Sequence, residues 1–346
     1  MRVDDYDFEL PTDLIATRAV EPRDAARLLV YERASARLAH RRFADLVELL
    51  APGDLLVVND TRVVPWRLRG TRPSGGRVDV LLVERCAGGF RGFARPARKF
   101  RLGEAVALEG GAVHVVPRVA HGDGKFDFAV ETPAGEDVAA VLERVGRAPL
   151  PPYIARDGSE DVAADRARYQ TVFAARDGAI AAPTAGMHFT DALLDRLAQG
   201  GVQRATVTLH VGLGTFAPVR VEDVEKHVMH REHYEVSAAT AAAVVATRER
   251  GGRIVAVGTT SARALETCAE PGRVVRAGVG ETDLFLYPGR ALHVVDALIT
   301  NFHLPRSTLL MLVAAMVGRE RLLALYAEAI AQRYRFYSFG DAMLVL

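Results

Sequence analysis

The sequence predicts an α/β main domain that carries a small, inserted, barrel-like all-β domain. At 346 residues the chain is long enough for two domains. Short apolar segments separated by glycine-rich turns follow one another between residues 66 and 149, as is typical of a small barrel. Elsewhere, segments of helix and strand length alternate, which favours an α/β arrangement. We therefore assign residues 1–65 and 150–346 to the main domain and residues 66–149 to the insertion.

The first part of the main domain opens with a predicted helix start at residues 8–15. Apolar runs at 27–31 and 53–60 then predict two strands, the second of which ends in polar residues.

The insertion has four predicted strands, at residues 77–83, 105–108, 113–116 and 126–130, followed by a helix at 137–145. Residues 67–147 hold 14 Lys and Arg against 10 Asp and Glu, a net charge of +4, whereas the whole chain has a formal net charge of +1. The insertion is therefore the basic part of the molecule.

The second part of the main domain alternates strands with helices. Strands are predicted at 205–211, 231–237, 253–257 and 294–300, and helices at 191–198, 238–249, 262–268 and from about 307. Thr190 is suited to cap the first of these helices and Gly200 to end it. In such folds, ligands bind at the carboxyl ends of the strands.

Composition excludes several classes of protein. Cys86 and Cys268 lie far apart and give neither a disulfide framework nor a metal-binding spacing. The start of the chain lacks the apolar core of a signal peptide, and the longest apolar run, residues 309–317, is too short to cross a bilayer. We expect a cytoplasmic protein without a membrane partner.

Two turns rich in glycine and histidine are the strongest candidates for a binding site. Residues 182–189 precede a predicted helix, whose free N–H groups suit an anionic ligand. Residues 209–216 follow a strand but precede no helix, so they do not form a dinucleotide-binding loop. His188 and His210 are candidates for proton transfer, although a plain helix cap with His188 bonded to the backbone is the alternative. The candidate binding residues of these turns are Thr184, Gly186, Gly212, Gly214 and Thr215.

Two further strand-to-helix junctions carry polar side chains. The first combines three hydroxyl groups with a guanidinium, which suits a carboxylate or phosphate; its residues are Thr259, Thr260, Ser261 and Arg263. The alternative is ordinary helix capping, with Arg263 paired to Glu266. At the second junction, Asn301 and His303 are expected to face the site.

Three histidines, His227, His230 and His233, have a spacing that invites comparison with a metal site. No cysteine pair or carboxylate cluster completes the set, and a strand at 231–237 would point two of the rings to opposite faces. We therefore expect no metal. Glu232, in the same strand, is a candidate base or partner of a cation.

A basic segment at residues 90–101 contains five cationic residues, three phenylalanines and no acid. Interleaved charge and aromatic rings suit RNA phosphates and stacked bases, whereas an edge strand protected by cations is the alternative. We predict contact with RNA through Arg91, Arg95, Arg98, Lys99 and Arg101.

An ordered series of motifs identifies a family. The chain resembles the S-adenosylmethionine:tRNA ribosyltransferase-isomerase family of queuosine biosynthesis over nearly its whole length. The motifs lie at residues 8–11, 53–62, 149–154, 169–173, 181–189, 207–216, 257–263, 296–305 and 334–343.

The resemblance implies an inserted β-barrel on an α/β domain and a specific reaction. The ribosyl part of S-adenosylmethionine moves onto 7-aminomethyl-7-deazaguanine at the wobble position of tRNA, giving epoxyqueuosine with release of adenine and methionine. The sulfonium acidifies a ribose carbon, so a base must remove a proton, and adenine needs a proton donor to leave. S-adenosylmethionine is a substrate here, no further cofactor is expected, and we expect a monomer that binds tRNA.

Roles follow from that chemistry. We assign proton transfer to His188 and His210, and base or cation-facing roles to Glu232 and Asp283. The turn Thr259–Ser261 with Arg263 would hold the methionine carboxylate, and Asn301 with His303 the nucleoside.

Three other functions remain open from the residues alone. Seven histidines between 188 and 303 would serve a metal-dependent hydrolase. The basic insertion by itself would serve a non-catalytic RNA-binding module. An ordinary methyltransferase would release S-adenosylhomocysteine instead of adenine and methionine.

Overall fold

The computed structural model describes residues 1–72, 75–154, 162–212, 219 and 221–346. The chain forms two compact units. Unit 1 comprises Met1–Arg62, Gln170–Arg176 and Ala182–Leu346, and unit 2 comprises Val63–Tyr169 and Asp177–Ala181. Unit 2 contains the segment predicted as an insertion and extends beyond it, and the domain boundaries at residues 65 and 150 stay a prediction.

The secondary structure mixes strands and helices, as predicted. The strands are β1 (Arg27–Glu32), β2 (Arg37–Arg42), β3 (Leu55–Asn59), β4 (Thr61–Val63), β5 (Arg67–Thr71), β6 (Arg77–Cys86), β7 (Gly89–Arg95), β8 (Val106–Leu108), β9 (Val113–Gly122), β10 (Lys125–Glu131), β11 (Arg176–Ala179), β12 (Gln203–Leu209), β13 (Glu232–Val236), β14 (Ile254–Val257), β15 (Ala269–Glu270), β16 (Val274–Val275), β17 (Gly278–Thr282), β18 (Ala297–Asn301) and β19 (Ala342–Val345). The helices are α1 (Leu46–Leu49), α2 (Val138–Val145), α3 (Val162–Arg168), α4 (Asp191–Gln199), α5 (Ala238–Glu249), α6 (Gly258–Thr267), α7 (Thr308–Val317) and α8 (Arg319–Ala331). None of these helices is both long and apolar enough to span a membrane.

Unit 1 is built on a mixed sheet in which nine strands are described, in the order β17-β13-β12-β3-β14-β18-β19-β1-β2. The four neighbours β12, β3, β14 and β18 are parallel, and β19 and β1 are also parallel to each other. Because parallel strands run in the same direction, the carboxyl ends of β12, β3, β14 and β18 all lie at one edge of the sheet.

The central strands of unit 1 are buried on both faces. Every residue of β3, β14 and β18 is buried, as expected for parallel strands covered by helices. Phe189, Leu193 and Leu197, the last two in α4, pack into the core on one face of this sheet. Complete burial of a side chain of this size contributes about 1.5–3 kcal/mol.

Two helix starts in unit 1 shape the site. Thr190 accepts a hydrogen bond from the Leu193 N–H at 3.1 Å and caps α4, and Gly200 ends it, as predicted. By contrast, α6 begins at Gly258, four residues before the predicted start. Gly258 has a φ of +85°, a left-handed conformation that turns the chain directly from β14 into the helix. The hydroxyl residues that follow favour caps over helix interiors, which hid this first turn from sequence reasoning.

Unit 2 contains an antiparallel sheet in the order β5-β6-β7-β10-β9-β8. Its edge strands approach each other, because a Cβ atom built on Gly70 of β5 would lie 2.6 Å from the carbonyl oxygen of Ala107 in β8. The enclosed core includes Phe90, Phe128 and Val141 of α2. The sequence interpretation missed β5 and β7 because arginine and glycine dilute their apolar alternation.

We predict that Gly70→Ala destabilises unit 2 by about 1–3 kcal/mol, because the added methyl group meets main-chain atoms of β8 that cannot rotate away. Urea unfolding followed by the emission of Trp66, the single tryptophan, which packs against this core, measures the effect. Val119→Ala, at a position of β9 that is 47% exposed, is the control and is expected to change stability by less than about 0.5 kcal/mol. An unchanged midpoint for Gly70→Ala would contradict the close approach of the two edges.

Candidate functional site

Polar side chains lie at the carboxyl ends of the four parallel strands of unit 1. β3 leads into Asp60 and Thr61, and β12 leads into His210. β14 leads into the hydroxyl-rich start of α6, and β18 ends at Asn301. The structure therefore brings most of the predicted site residues to one edge of the sheet.

The end of β12 is fastened to the end of β3. The Asn59 side chain donates to the Leu209 carbonyl at 2.9 Å and accepts from the Leu209 N–H at 3.0 Å. Thr61 Oγ1 and His210 Nδ1 share a hydrogen bond of 2.7 Å. The half-buried His210 ring also stacks on His233, with 5.7 Å between ring centres. His210 is thus held in a fixed orientation at the site.

A buried ion pair joins β13 to α6. Glu232 and Arg263 have side chains that are each only 4% exposed, and the Arg263 Nη1 group donates to Glu232 Oε2. The other oxygen, Glu232 Oε1, accepts from the Gly212 N–H at 2.9 Å. Arg263 Nε donates to the Leu284 carbonyl at 3.0 Å. Glu232 therefore uses both oxygens to hold neighbouring groups.

The predicted alternative partner of Arg263 is engaged elsewhere. Glu266 accepts hydrogen bonds of 2.8–2.9 Å from the main-chain N–H groups of His293, Val294 and Val295. The alternative in which Arg263 pairs with Glu266 is therefore wrong, because three N–H groups already satisfy that carboxylate.

Unsatisfied donors lie in the first turns of α6. Arg263 Nη2, Thr260 Oγ1 and Ser261 Oγ are buried and have no hydrogen-bond partner among the described residues. No described side chain caps the first N–H groups of this helix. A buried polar group left without a partner costs about 1–3 kcal/mol. The arrangement suits a bound anion, which would accept from these donors and favour the positive end of the helix dipole.

His188 lies in a 3-10 turn, Thr184–His188, and is fully packed. Its Nδ1 is 3.2 Å from the Ala185 carbonyl oxygen, and its Nε2 is 3.0 Å from the Gly340 carbonyl oxygen. The ring stacks on Phe43, with centres 4.9 Å apart. Burial lowers the pKa of His188 below the usual value for histidine. These contacts match the backbone-bonded alternative, and a role of His188 in proton transfer stays a prediction.

Asn301 and His303 connect segments behind the strand ends. Asn301 Oδ1 accepts from the Thr184 hydroxyl at 2.8 Å, and its amide donates to the Tyr337 carbonyl at 3.2 Å. His303 Nε2 shares a 2.8 Å hydrogen bond with Thr300 Oγ1. Burial lowers the pKa of His303 to about 3, so the ring is neutral at physiological pH. Contact of either side chain with a nucleoside stays a prediction.

The remaining predicted site residues fall in three places. Gly186 packs against Phe173, where an added Cβ atom would lie 2.6 Å from the ring. Asp283 is 64% exposed and lies 4.0 Å from Arg231. Gly214 and Thr215 lie outside the described residues.

No group of three or more His, Cys, Asp or Glu side chains is placed to hold a metal ion within the part of the chain that is described. His227 instead packs its ring edge against Phe285, with centres 5.4 Å apart. Burial is the main cause that lowers the pKa of His227.

The basic segment of unit 2 exposes three of its five cations and buries two of its three aromatic rings. Arg95, Arg98 and Arg101 are exposed and Lys99 is half-buried, and none makes an ion pair with a described residue. Arg91 pairs with Asp127 at 2.7 Å and Glu84 at 3.0 Å, and its hydrogen bond to Asp127 raises its pKa. Phe90 and Phe100 belong to the core of the sheet, so they cannot stack on bases. The edge-strand alternative is also wrong, since β7 lies between β6 and β10.

Sequence reasoning missed Asn59, Asp60 and Thr61 as site residues. The signal was present, because these polar residues directly follow the apolar run of β3, as the assigned residues follow their own strands. Their importance depends on strand order, which places β3 between β12 and β14 and which no local pattern reveals.

The whole chain matches one family model. Residues 3–345 match the model of the queuosine biosynthesis protein family. The chain belongs to this family. The resemblance predicted from the motifs is thereby confirmed.

Relatives of the queuosine biosynthesis family support the same conclusion. A protein of Anaeromyxobacter sp. (strain Fw109-5) is 54% identical over 100% of this chain and 99% of its own length. A Gloeobacter violaceus protein is also 54% identical, over 99% of this chain and 95% of its own length. Both are named S-adenosylmethionine:tRNA ribosyltransferase-isomerase, and the prediction that this chain is an enzyme is confirmed.

A solved structure of the family shares the fold. The crystal structure of S-adenosylmethionine tRNA ribosyltransferase from Thermotoga maritima is 38% identical, with a TM-score of 0.56. The match covers 99% of this chain and 100% of that one. The mixed architecture of helices and strands is therefore a property of the family.

We predict that Glu232→Gln lowers the free energy of unfolding by about 3–5 kcal/mol, because it leaves a buried guanidinium unpaired. Combining it with Arg263→Met removes both charges and is expected to recover at least half of that loss. Denaturant titrations followed by circular dichroism measure both variants. The half-exposed pair Glu235–Arg176 is the control, and Glu235→Gln should cost less than about 1 kcal/mol. Additive losses in the double variant would contradict a coupled buried pair.

The buried ring of His303 makes the stability of the protein depend on acid pH. The pKa of His303 is about 3 in the folded protein and near 6.5 when the chain is unfolded, so the unfolded chain binds the proton more readily. This residue's contribution is present above pH 6.5 and is lost as pH falls from 6.5 towards 3, at about 1.4 kcal/mol per pH unit. His303→Asn should reduce the slope of unfolding free energy against pH between pH 6.5 and 4, by the amount that corresponds to one proton taken up on unfolding. An unchanged slope would show that His303 accepts the proton without unfolding.

Proposed function

We propose that this enzyme transfers and isomerises the ribosyl moiety of S-adenosylmethionine onto 7-aminomethyl-7-deazaguanine at the wobble position of tRNA. The products would be epoxyqueuosine in tRNA, free adenine and free methionine. The single observation that carries the proposal is the set of unpartnered buried donors at the start of α6, at the same sheet edge as His210. It occurs in a chain that is 54% identical to proteins named for this activity.

The start of α6 is the proposed binding site of the methionine carboxylate. Thr260 and Ser261 offer hydroxyl donors, Arg263 offers Nη2, and the first N–H groups of the helix lack a side-chain cap among the described residues. A carboxylate accepts several hydrogen bonds at once, and charge-assisted bonds are the stronger kind. Glu232 supports this site, since it binds Nη1 of Arg263 and does not use Nη2.

His210 is the proposed group for proton transfer. Its Nδ1 shares a hydrogen bond with Thr61, and its ring is only half-buried at the end of β12. A positioned imidazole suits both the removal of a ribose proton and the protonation of departing adenine. Glu232 is less suited to act as the base than the sequence suggested, because Arg263 and Gly212 occupy its two oxygens.

The exposed cations of unit 2 are the proposed contact with tRNA phosphates. Arg95, Arg98 and Arg101 lack acidic partners among the residues described, so their charge is available to an anionic ligand. Because Phe90 and Phe100 are buried, phosphate contact is the mode of binding that we propose. A monomeric state, a cytoplasmic location and the lack of a further cofactor belong to this proposal as expectations.

Identification of the small-molecule products tests the proposal. The protein is incubated with S-adenosylmethionine and tRNA that carries the precursor base, and the products are separated by chromatography and mass spectrometry. Free adenine and methionine in equal amounts, with epoxyqueuosine in the tRNA, are expected. S-adenosylhomocysteine would identify a methyltransferase, and tRNA binding without adenine release an RNA-binding module. Loss of activity on exhaustive chelation would favour a metal-dependent enzyme.

We predict that His210→Gln lowers kcat about 100-fold or more while the melting temperature stays within a few degrees of the wild type. The reason is that the half-buried ring is proposed to transfer protons, whereas its packing contributes little to stability. His233→Gln, which alters the stacked and exposed partner ring, is the control and should retain most of the activity.

His188→Asn separates packing from proton transfer. It should lower the melting temperature clearly, because the ring is enclosed and its two nitrogens lie 3.2 and 3.0 Å from carbonyl oxygens, one of which accepts its N–H. Wild-type turnover in His210→Gln would remove His210 from the mechanism.

A further inference from the structure

Five carboxylates are buried in the part of the chain that the structure describes, and one of them lacks compensation. Asp54, Glu232 and Asp341 each lie against an arginine. Glu266 accepts three main-chain N–H groups. Asp60 is 8% exposed, and from the described residues its side chain accepts a single hydrogen bond, from the Thr208 hydroxyl at 2.6 Å.

The position of Asp60 is tightly fixed. Its N–H donates to the Val207 carbonyl at 2.9 Å, and its own carbonyl accepts from the N–H groups of Ala175 and Arg176 at 2.8 and 3.1 Å. On either side, Asn59 and Thr61 are bound to the end of β12. The main-chain hydrogen bonds therefore fix the position of Asp60 and keep its carboxylate in this buried environment.

An ionised carboxylate in such a place is unfavourable for the empty protein. Removing a carboxylate from water costs several kcal/mol unless an opposite charge or several donors replace the water. One hydroxyl group replaces little of it. A structural carboxylate has a cation or a set of N–H groups, as the other four do, whereas a carboxylate that receives a cationic ligand stays uncompensated until the ligand binds.

We propose that Asp60 is a substrate-contacting residue that pairs with the sulfonium of S-adenosylmethionine. The proposal rests on the proposed function. Asp60 follows β3, and the anion site at the start of α6 follows β14, the neighbouring parallel strand. Adjacent strands lie about 4.8 Å apart, and four bonds separate the sulfur from the carboxylate carbon in the methionine moiety, roughly 5–6 Å when extended. The length of the methionine moiety is similar to this strand spacing, so we place its carboxylate on α6 and its sulfonium on Asp60.

The other carboxylates assigned to this role from sequence are less suited to it. Both oxygens of Glu232 are engaged by Arg263 and Gly212. Asp283 is mostly exposed, where solvent screens its charge. Asp60 alone among the three combines burial with a second oxygen that has no partner in the described residues.

The charge of the ligand provides the test. Equilibrium dialysis measures the binding of three ligands. S-adenosylmethionine carries a sulfonium, sinefungin has an ammonium group in its place, and S-adenosylhomocysteine is a neutral thioether. An unmodified tRNA transcript is present throughout, because it lacks the aminomethyl group and permits no turnover. The proteins are the wild type, Asp60→Asn and the control Asp195→Asn, an equivalent change at an exposed position of α4.

We expect Asp60→Asn to weaken binding of the two cationic ligands by 10-fold or more and binding of the thioether by less than 3-fold. Asp195→Asn should change none of the three. We also expect Asp60→Asn to melt at or above the wild-type temperature, since it removes an uncompensated charge and keeps the oxygen that accepts from Thr208.

Each other outcome is decisive. Equal weakening of all three ligands would place Asp60 on the α-amino group that they share, and unchanged binding would leave it no contact with this ligand, so either overturns the proposal. A variant that melts well below the wild type or fails to fold would assign the charge to the fold and overturn it as well. Failure of the wild type to bind any of the ligands would contradict the proposed function itself, independently of Asp60.

Discussion

The parallel alignment of β12, β3, β14 and β18 is the constraint on which the rest of unit 1 depends. Every residue of β3, β14 and β18 is buried, and so are the last three residues of β12, so an unpartnered polar side chain in these segments carries a large cost. The polar residues of these buried segments lie near the points where the chain leaves the sheet, and parallel direction brings those points to one edge. The fold thus determines the position of the site, because polar side chains are tolerated mainly at the ends of the apolar strands.

The sequence predicted what local pattern can encode. Strands such as β1, β3 and β14 and helices such as α4 and α5 were predicted within a few residues, because burial periodicity and caps are local. The missed strands β5 and β7 have arginine and glycine on alternate positions, which weakens the apolar signal.

The site was predicted only in part, for a different reason. The candidates at the ends of β12, β14 and β18 are found at the sheet edge, but residue type alone did not separate reactive groups from supporting ones. His188 and His303 look like acid–base residues in the sequence, yet each is enclosed and bonded to internal partners. Asp60 looked like the end of a strand, because its hydrogen-bond partner Thr208 is distant in sequence.

The unpartnered donors at the start of α6 have a consequence for laboratory evolution. Thr260 and Ser261 hold buried hydroxyl groups without a hydrogen-bond partner among the described residues. Libraries selected for heat resistance alone are therefore expected to accumulate apolar replacements at these positions. The positions enriched by such a selection would identify residues of the proposed site without an activity assay.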